Sequence, residues 1–296
     1  MNLRRLKQNE TQLLDVHRPV PKHLGGTYTP DNVVVLSPIE HMRIHGNLRI
    51  RNEQLERLKE MIDDRAQTIK LKNKIENQVR AYKRQTDHLS QDTLQWLLHI
   101  LNEVKSKLRV QDGLVKSFVH TLDDPLAKAA LSVRAVGEMT VAYCLVYIDL
   151  EKARHVSSVW AYAGLHVSSK DRYKKGQSGG GNKRLRTQLY TLADSQVKHR
   201  GPYRAIYDRV KERLSNSNKL VWSRTTRGVL KEMPWKETKP SHRDGAGKRA
   251  IMKHFLADWW YVGRTLMGLE THPMYAEAVL GSGHKAVSPQ ERGWKV

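Results

Sequence analysis

From Arg51 to Leu122 no proline interrupts the chain, and apolar residues recur at helical spacing throughout. A stretch this long commits the protein to long helices and so to a mainly α fold. Leu55, Leu58, Ile62 and Ile69 set one stripe, and Ile75, Val79 and Tyr82 continue it in a shifted register. Leu94, Leu97, Leu98, Leu101, Val104 and Leu108 form a second, stronger one. Ser90-Gln91-Asp92 supplies the cap residues at which a second helix is expected to restart. Two arrangements bury such stripes. One is a coiled-coil spacer or homodimer arm, and the other is a helical hairpin closed within one chain. The stripes alone do not choose between them. Lys70, Lys72, Lys74, Arg80, Lys83 and Arg84 ride on the same segment, either as a solvated face or as phosphate contacts.

Charge sets the class of partner. The 296 residues hold 52 Lys and Arg against 30 Asp and Glu, a net charge of +22. That excess points to a polyanion: DNA first, RNA second. No apolar run is long enough to span a bilayer, so no membrane partner is expected. Met1-Asn2-Leu3-Arg4-Arg5 does not open a signal peptide. The single cysteine, Cys144, excludes an intramolecular disulfide and a cysteine zinc ribbon. It is expected as a small buried apolar residue in a cytoplasmic protein of a bacterial or phage-infected cell.

Before the arm, histidines cluster. His17 lies in a strand-like run, Gly25-Gly26 makes a turn, and Asn32 precedes the apolar strand Val33 to Leu36. His41 and His45 follow at i and i+4, on one face of a helix. The segment resembles the ββα-metal finger of HNH endonucleases. Aligned on Pro21 and Gly25-Gly26, the resemblance implies that His17, His41 and His45 hold one divalent ion (Mg, Mn or Zn) and that Asn32 ties the loop. The family's general-base histidine falls on Arg18, which stays protonated at neutral pH. His23 is then the nearest substitute base, or the metal activates water directly, or the finger is structural. A one-residue shift would make His17 the base and Asp15 a ligand, but it fits the Gly-Gly spacing less well. The catalytic set is therefore His17, Arg18, His23 and Asn32.

Beyond Asp123 the character changes. Ser132 to Ile148 reads as a tight turn between two helices, the second apolar and rich in small residues. It looks like a helix-hairpin-helix element, in which a glycine turn offers backbone N–H groups to a DNA phosphate. Ala135 stands where the first glycine of that element is expected. Next come Ala161-Tyr162-Ala163-Gly164-Leu165, Gly181-Asn182-Lys183-Arg184-Leu185-Arg186, Tyr203 to Tyr207, and Gly247-Lys248. In this order they resemble the C-terminal domain of IS110/IS116/IS902 transposases, over roughly residues 125 to 270. The resemblance implies a DNA-binding half and a serine recombination nucleophile in the loop between the first and second of these motifs. Ser168, Ser169 and Ser178 are the candidates there, against the plainer reading of a basic loop lying on phosphate. The family's RuvC-like domain has no counterpart in these residues, and the HNH-like finger stands in its place. The expected DNA contacts are Arg134 and Gly137 at the hairpin, Lys170, Arg172, Lys174 and Lys175 in the loop, and Lys183, Arg184 and Arg186 at the following helix start.

The expected organisation is a finger over 1–50, a helical or coiled-coil arm over 51–122, a helical DNA-binding domain over 123–275 and a flexible tail over 276–296. An irregular basic and aromatic insertion is expected at 215–246, followed by a last buried helix from Ile251 to Met267. The expected activity is metal-dependent DNA cleavage of mobile-element or phage type. Serine recombination and non-catalytic DNA binding are its alternatives.

Overall fold

The computed structural model describes residues 5–8, 12–17, 27, 29–36, 53–84, 88–166, 180–225, 228–272 and 287–295. The protein is mainly α. Near the N-terminus β1 (Arg5–Gln8), β2 (Gln12–His17) and β3 (Val34–Leu36) form an antiparallel sheet in that order. Two long helices follow, α1 (Glu53–Tyr82) and α2 (His88–Thr121). Then come α3 (Pro125–Leu131), α4 (Glu138–Tyr147), α5 (Val156–Tyr162), α6 (Lys183–Lys198) and α7 (Arg204–Ser215). A hairpin of β4 (Leu220–Arg224) and β5 (Leu230–Pro234) leads into α8 (Pro240–Leu266). Among the described residues no helix is long and apolar enough to cross a membrane.

The arm is an intramolecular hairpin. Ile75 and Val79 of α1 bury against Leu94, Leu97, Leu101 and Val104 of α2. Leu58 and Ile62 join Val115 and Val119 in the main core. Between these layers Gln111 donates to Asp64 Oδ2 at 2.6 Å, and Arg65 pairs with Asp112. The two stripes thus bury one another within one chain, while Leu71, Trp96, Val110 and Leu114 of the same helices stay exposed. The break falls earlier than Ser90-Gln91-Asp92: α1 ends at Tyr82 and α2 begins at His88. Ser90 is buried inside the first turn of α2 instead of capping it.

The helix α8 is the axis of the C-terminal half, packed by α3, α5, α6 and α7. Phe255, Trp259 and Trp260 lie on it fully buried, and Cys144 is buried as expected. Two boundaries differ from the sequence expectation. Within 215–246, strands Leu220–Arg224 and Leu230–Pro234 pair antiparallel, with Trp222 opposite Glu232 and Ser223 opposite Lys231. The last helix begins eleven residues before Ile251, at Pro240, since proline suits a first helical turn. The tail also differs: residues 287–295 dock on the core. Trp294 is 2 % exposed, and its indole N–H donates to the Tyr203 hydroxyl at 2.9 Å. Its ring lies 5.8 Å from that of Phe255, which supplies the burial that a flexible tail would lack.

That docking surrounds a buried carboxylate. Tyr203 donates to Asp258 Oδ2 at 2.6 Å, and Arg292 Nε lies 3.3 Å from the same oxygen. Burial raises Asp258 to a pKa of about 6, against the opposing pull of Arg292 and the Tyr203 hydroxyl. The folded value exceeds the unfolded one, so this group's contribution is full below pH 3.8 and is lost as pH rises through about 6. Asp258→Asn should remove that slope. The melting temperature of wild type minus that of Asp258→Asn is expected to fall between pH 4 and pH 7 in a thermal unfolding series. A gap that stays level with pH would rule out this account of Asp258.

Candidate nucleic-acid interface

In the N-terminal sheet, His17 closes β2 directly opposite Val34 of β3. The loop between these strands ends in a single 3-10 turn, Pro30–Asn32. There the Asn32 amide side chain donates to the Thr27 carbonyl at 3.0 Å, and its backbone N–H donates to Thr29 at 2.9 Å. A strand ending in histidine, a side-chain tie from Asn32 to Thr27 and a returning antiparallel strand thus follow one another in the chain. For His17 the description extends to the backbone. Arg18, His23, Gly25, Gly26, His41 and His45 lie outside the described residues, and among the described residues no metal-holding group is found. The donor chemistry of three imidazoles suits zinc better than magnesium, which prefers oxygen ligands.

The helix-turn-helix corner at 132–138 is built as the sequence suggests. Asp124 caps α3 by accepting from the Ala127 N–H at 2.9 Å. Ala135 takes a left-handed φ of 65°, the conformation for which glycine is normally used, and Gly137 caps α4. Val133 and Val136 bury beneath the turn, while Arg134 and Gly137 stay exposed. The corner nevertheless carries a carboxylate beside the Arg134 cation. Glu138 accepts a hydrogen bond from its own backbone N–H, which holds its carboxyl below the usual range with help from His120 at 3.3 Å. A carboxylate therefore sits at the helix end that would face a phosphate.

The motifs further along meet as backbone joints. Gly164 and Gly181 both have positive φ, 67° and 91°. A Cβ on Gly181 would lie 2.5 Å from the Gly164 nitrogen and 2.9 Å from the Tyr162 carbonyl. Asn182 then donates its N–H to Tyr162 O at 2.6 Å and caps α6 through Leu185 N–H at 3.0 Å. Gly247 makes the third close approach: a Cβ there would lie 2.6 Å from the Tyr207 ring. Beside it Lys248 bridges Asp194 at 2.7 Å and Asp244 at 2.8 Å. Burial works against its charge, but those bonds outweigh burial and raise its pKa. Residues of all four of these motifs thus help to fasten one helix to another. The loop they bracket, with Ser168, Ser169, Lys170, Arg172, Lys174, Lys175 and Ser178, lies outside the described residues.

The remaining expected DNA contacts are not gathered in one place. α4 and α6 run antiparallel: Gln196 donates to Arg134 O at 2.8 Å, and Arg184 meets the Tyr147 hydroxyl at 3.2 Å. Arg134 and Gly137 are therefore about 15–20 Å along α6 from Arg186 and Lys183, at about 1.5 Å per residue. Arg184 also pairs with Asp63 and clamps α6 to the arm. Lys183 and Arg186 remain exposed.

A set of cations that the sequence reading did not single out shares one cleft. Arg213 on α7, Lys219 before β4, and Arg249 and Lys253 on α8 line a space of about 500 Å³, with Trp235 on its wall. Ala246, Arg249, Ala250 and Lys253 are i, i+3, i+4 and i+7, one face of a helix. That spacing is a usable signal once the first turns of α8 are known to be helical. No family model, curated protein or solved structure matches this chain.

Proposed function

We propose that the chain binds DNA through its helical half and cuts it with the N-terminal finger, as a metal-dependent endonuclease of mobile-element or phage type. The observation that carries this reading is the β2–β3 pair with the Asn32 tie: His17 ends one strand, and the loop is held closed at Thr27. The net charge of +22 supplies the general attraction for DNA. His17, His41 and His45 would hold the metal, which when bound polarises the scissile phosphate and stabilises the leaving 3′ oxygen. Arg18, in the general-base position of the resembled family, would add positive charge beside that phosphate instead of taking the water proton, and Asn32 would keep the loop in register.

A second reading has its own support. The close approach of Gly164 to Gly181, and that of Gly247 to the Tyr207 ring, give residues of all four motifs a packing role in the helical half. Under that reading the hydroxyl of Ser168, Ser169 or Ser178 attacks a phosphodiester, so that a serine–phosphate ester forms as one P–O bond to deoxyribose breaks and that sugar oxygen leaves as a hydroxyl, the serine proton passing to it.

Supercoiled plasmid incubated with the full chain separates these readings. The endonuclease reading expects nicking or linearisation with Mg²⁺, Mn²⁺ or Zn²⁺, none in a chelator, and no protein attached to the product. A protein–DNA adduct lost on changing Ser168, Ser169 or Ser178 would transfer the function to the recombinase. Binding without cutting under every metal would leave only a DNA-binding protein with a structural finger.

A further inference from the structure

The cleft between α7, the β4–β5 hairpin and α8 is lined by cations without counter-charges. Among the described residues, the cleft cations Arg213, Lys219, Arg249 and Lys253 make no ion pair, and no carboxylate lines the cleft. Lys248, one residue from Arg249 but on a different face of α8, is held by two aspartates. Cations that tie this fold together are partnered, and those in the cleft are not. They also disfavour one another. Burial, then the charge of Arg186, lowers the pKa of Arg249; burial, then Arg249, lowers that of Lys253. Lys253 is fixed in place, with its ammonium 5.0 Å from the Trp160 ring centroid and its carbonyl accepting from the Trp160 indole at 2.9 Å. A cluster of fixed, mutually repelling cations is relieved by an anion.

We propose that this cleft holds one unstacked nucleotide of a DNA single strand, its phosphate between Arg249 and Lys253 and its base against Trp235. A guanidinium offers a planar fork to two phosphate oxygens, and an ammonium one turn away adds a point charge. Ala246 and Ala250, the small residues of the same helix face, leave the floor open. Trp235 is held by His242, whose ring centroid lies 4.9 Å away. An indole beside a basic groove is the arrangement by which single strands are bound without sequence preference. The volume lies within the range of about 300–1,000 Å³ typical of small-molecule sites. It admits one nucleotide and excludes a duplex, whose stacked bases would not reach Trp235. This assignment rests on the DNA-binding reading above and adds to it a strand separated from its complement.

The test uses the full chain in a chelating buffer, so that cleavage plays no part. Binding is titrated with a short oligothymidylate, the matching oligouridylate and a mixed-sequence duplex. The Arg249→Gln, Lys253→Gln double variant, checked for a native melt, should lose about tenfold or more in oligothymidylate affinity but no more than about threefold for the duplex. Oligothymidylate should quench the tryptophan emission of wild type. In Trp235→Phe that quenching should largely vanish while affinity holds within about threefold. Quenching unchanged in Trp235→Phe, equal losses for strand and duplex, or tighter binding of oligouridylate would each overturn the assignment. If the double variant does not fold, the Trp235→Phe comparison decides. Wild type that binds the duplex but not the oligothymidylate sinks the cleft alone. Wild type that binds neither sinks the DNA-binding reading with it.

Discussion

Replacing Arg18 with histidine is expected to raise the rate of metal-dependent plasmid cleavage by about 10²–10⁴-fold, the usual contribution of a positioned general base. The finger-like segment places arginine where HNH endonucleases carry the histidine that takes a proton from water. A guanidinium carries no lone pair for that proton at any pH near neutrality. Cleavage by the natural chain should accordingly be slow. The variant should also acquire a pH dependence of its own. Its rate should rise through about pH 6.5 as the imidazole becomes neutral and able to accept a proton. The comparison needs only the initial nicking rates of the two proteins on supercoiled plasmid across pH 5.5 to 8. An Arg18→His rate equal to wild type at every pH would mean that water is activated from elsewhere, with His23 the first residue to change next.

The second large effect is on stability. Gly181→Ala should cost on the order of 3 kcal/mol or more, because two penalties coincide there. A methyl group is forced into a backbone with φ of 91°, and it must also fit 2.5 Å from the Gly164 nitrogen. The neighbouring atoms are backbone on both sides, so no side chain can swing away. Gly228 is the control: its φ is 83°, but a Cβ there meets nothing within 4 Å. Gly228→Ala should therefore lose only the conformational term, about 1 kcal/mol. Thermal unfolding of both variants reads the difference, about 2–4 °C per kcal/mol for a domain of this size. Equal melting shifts would mean that the Gly164–Gly181 contact is not a tight joint.

Much of the fold is legible in the sequence, because buried faces repeat at 3.6 residues. The Leu94, Leu97, Leu101 stripe marks which face of α2 is covered. It does not mark what covers it: Ile75 and Val79 of the same chain offer the same apolar surface that a second copy would. The start of α8 is hidden for a different reason. Gly245 and Gly247 weaken any local preference for helix, yet Gly247 is required by the Tyr207 ring packed against it. Trp294 is hidden as well, since one tryptophan in a segment of small and polar residues has no period. Its burial depends on Phe255, Trp259 and Tyr203, which are distant in sequence. At the corner before α4, Ala135 adopts the turn conformation without being the residue that signals it. Asn32 is expected to tie its loop, and its side chain does so by donating to the Thr27 carbonyl. The cleft of Arg249 and Lys253 is not legible, because its residues come from two helices and a hairpin that only the tertiary fold brings together.

The central claim is a division of labour, in which the finger cuts and the helical half binds. Its most direct test is the His41→Ala, His45→Ala double variant of the full chain. Plasmid cleavage and duplex affinity are measured on the same preparation, with metal content read by elemental analysis. The account predicts that one metal ion per chain is lost and cleavage is abolished, while duplex affinity stays within about threefold of wild type, as expected when the phosphate-neutralising cations are untouched. Cleavage that persists in the double variant, with metal content unchanged, would contradict it.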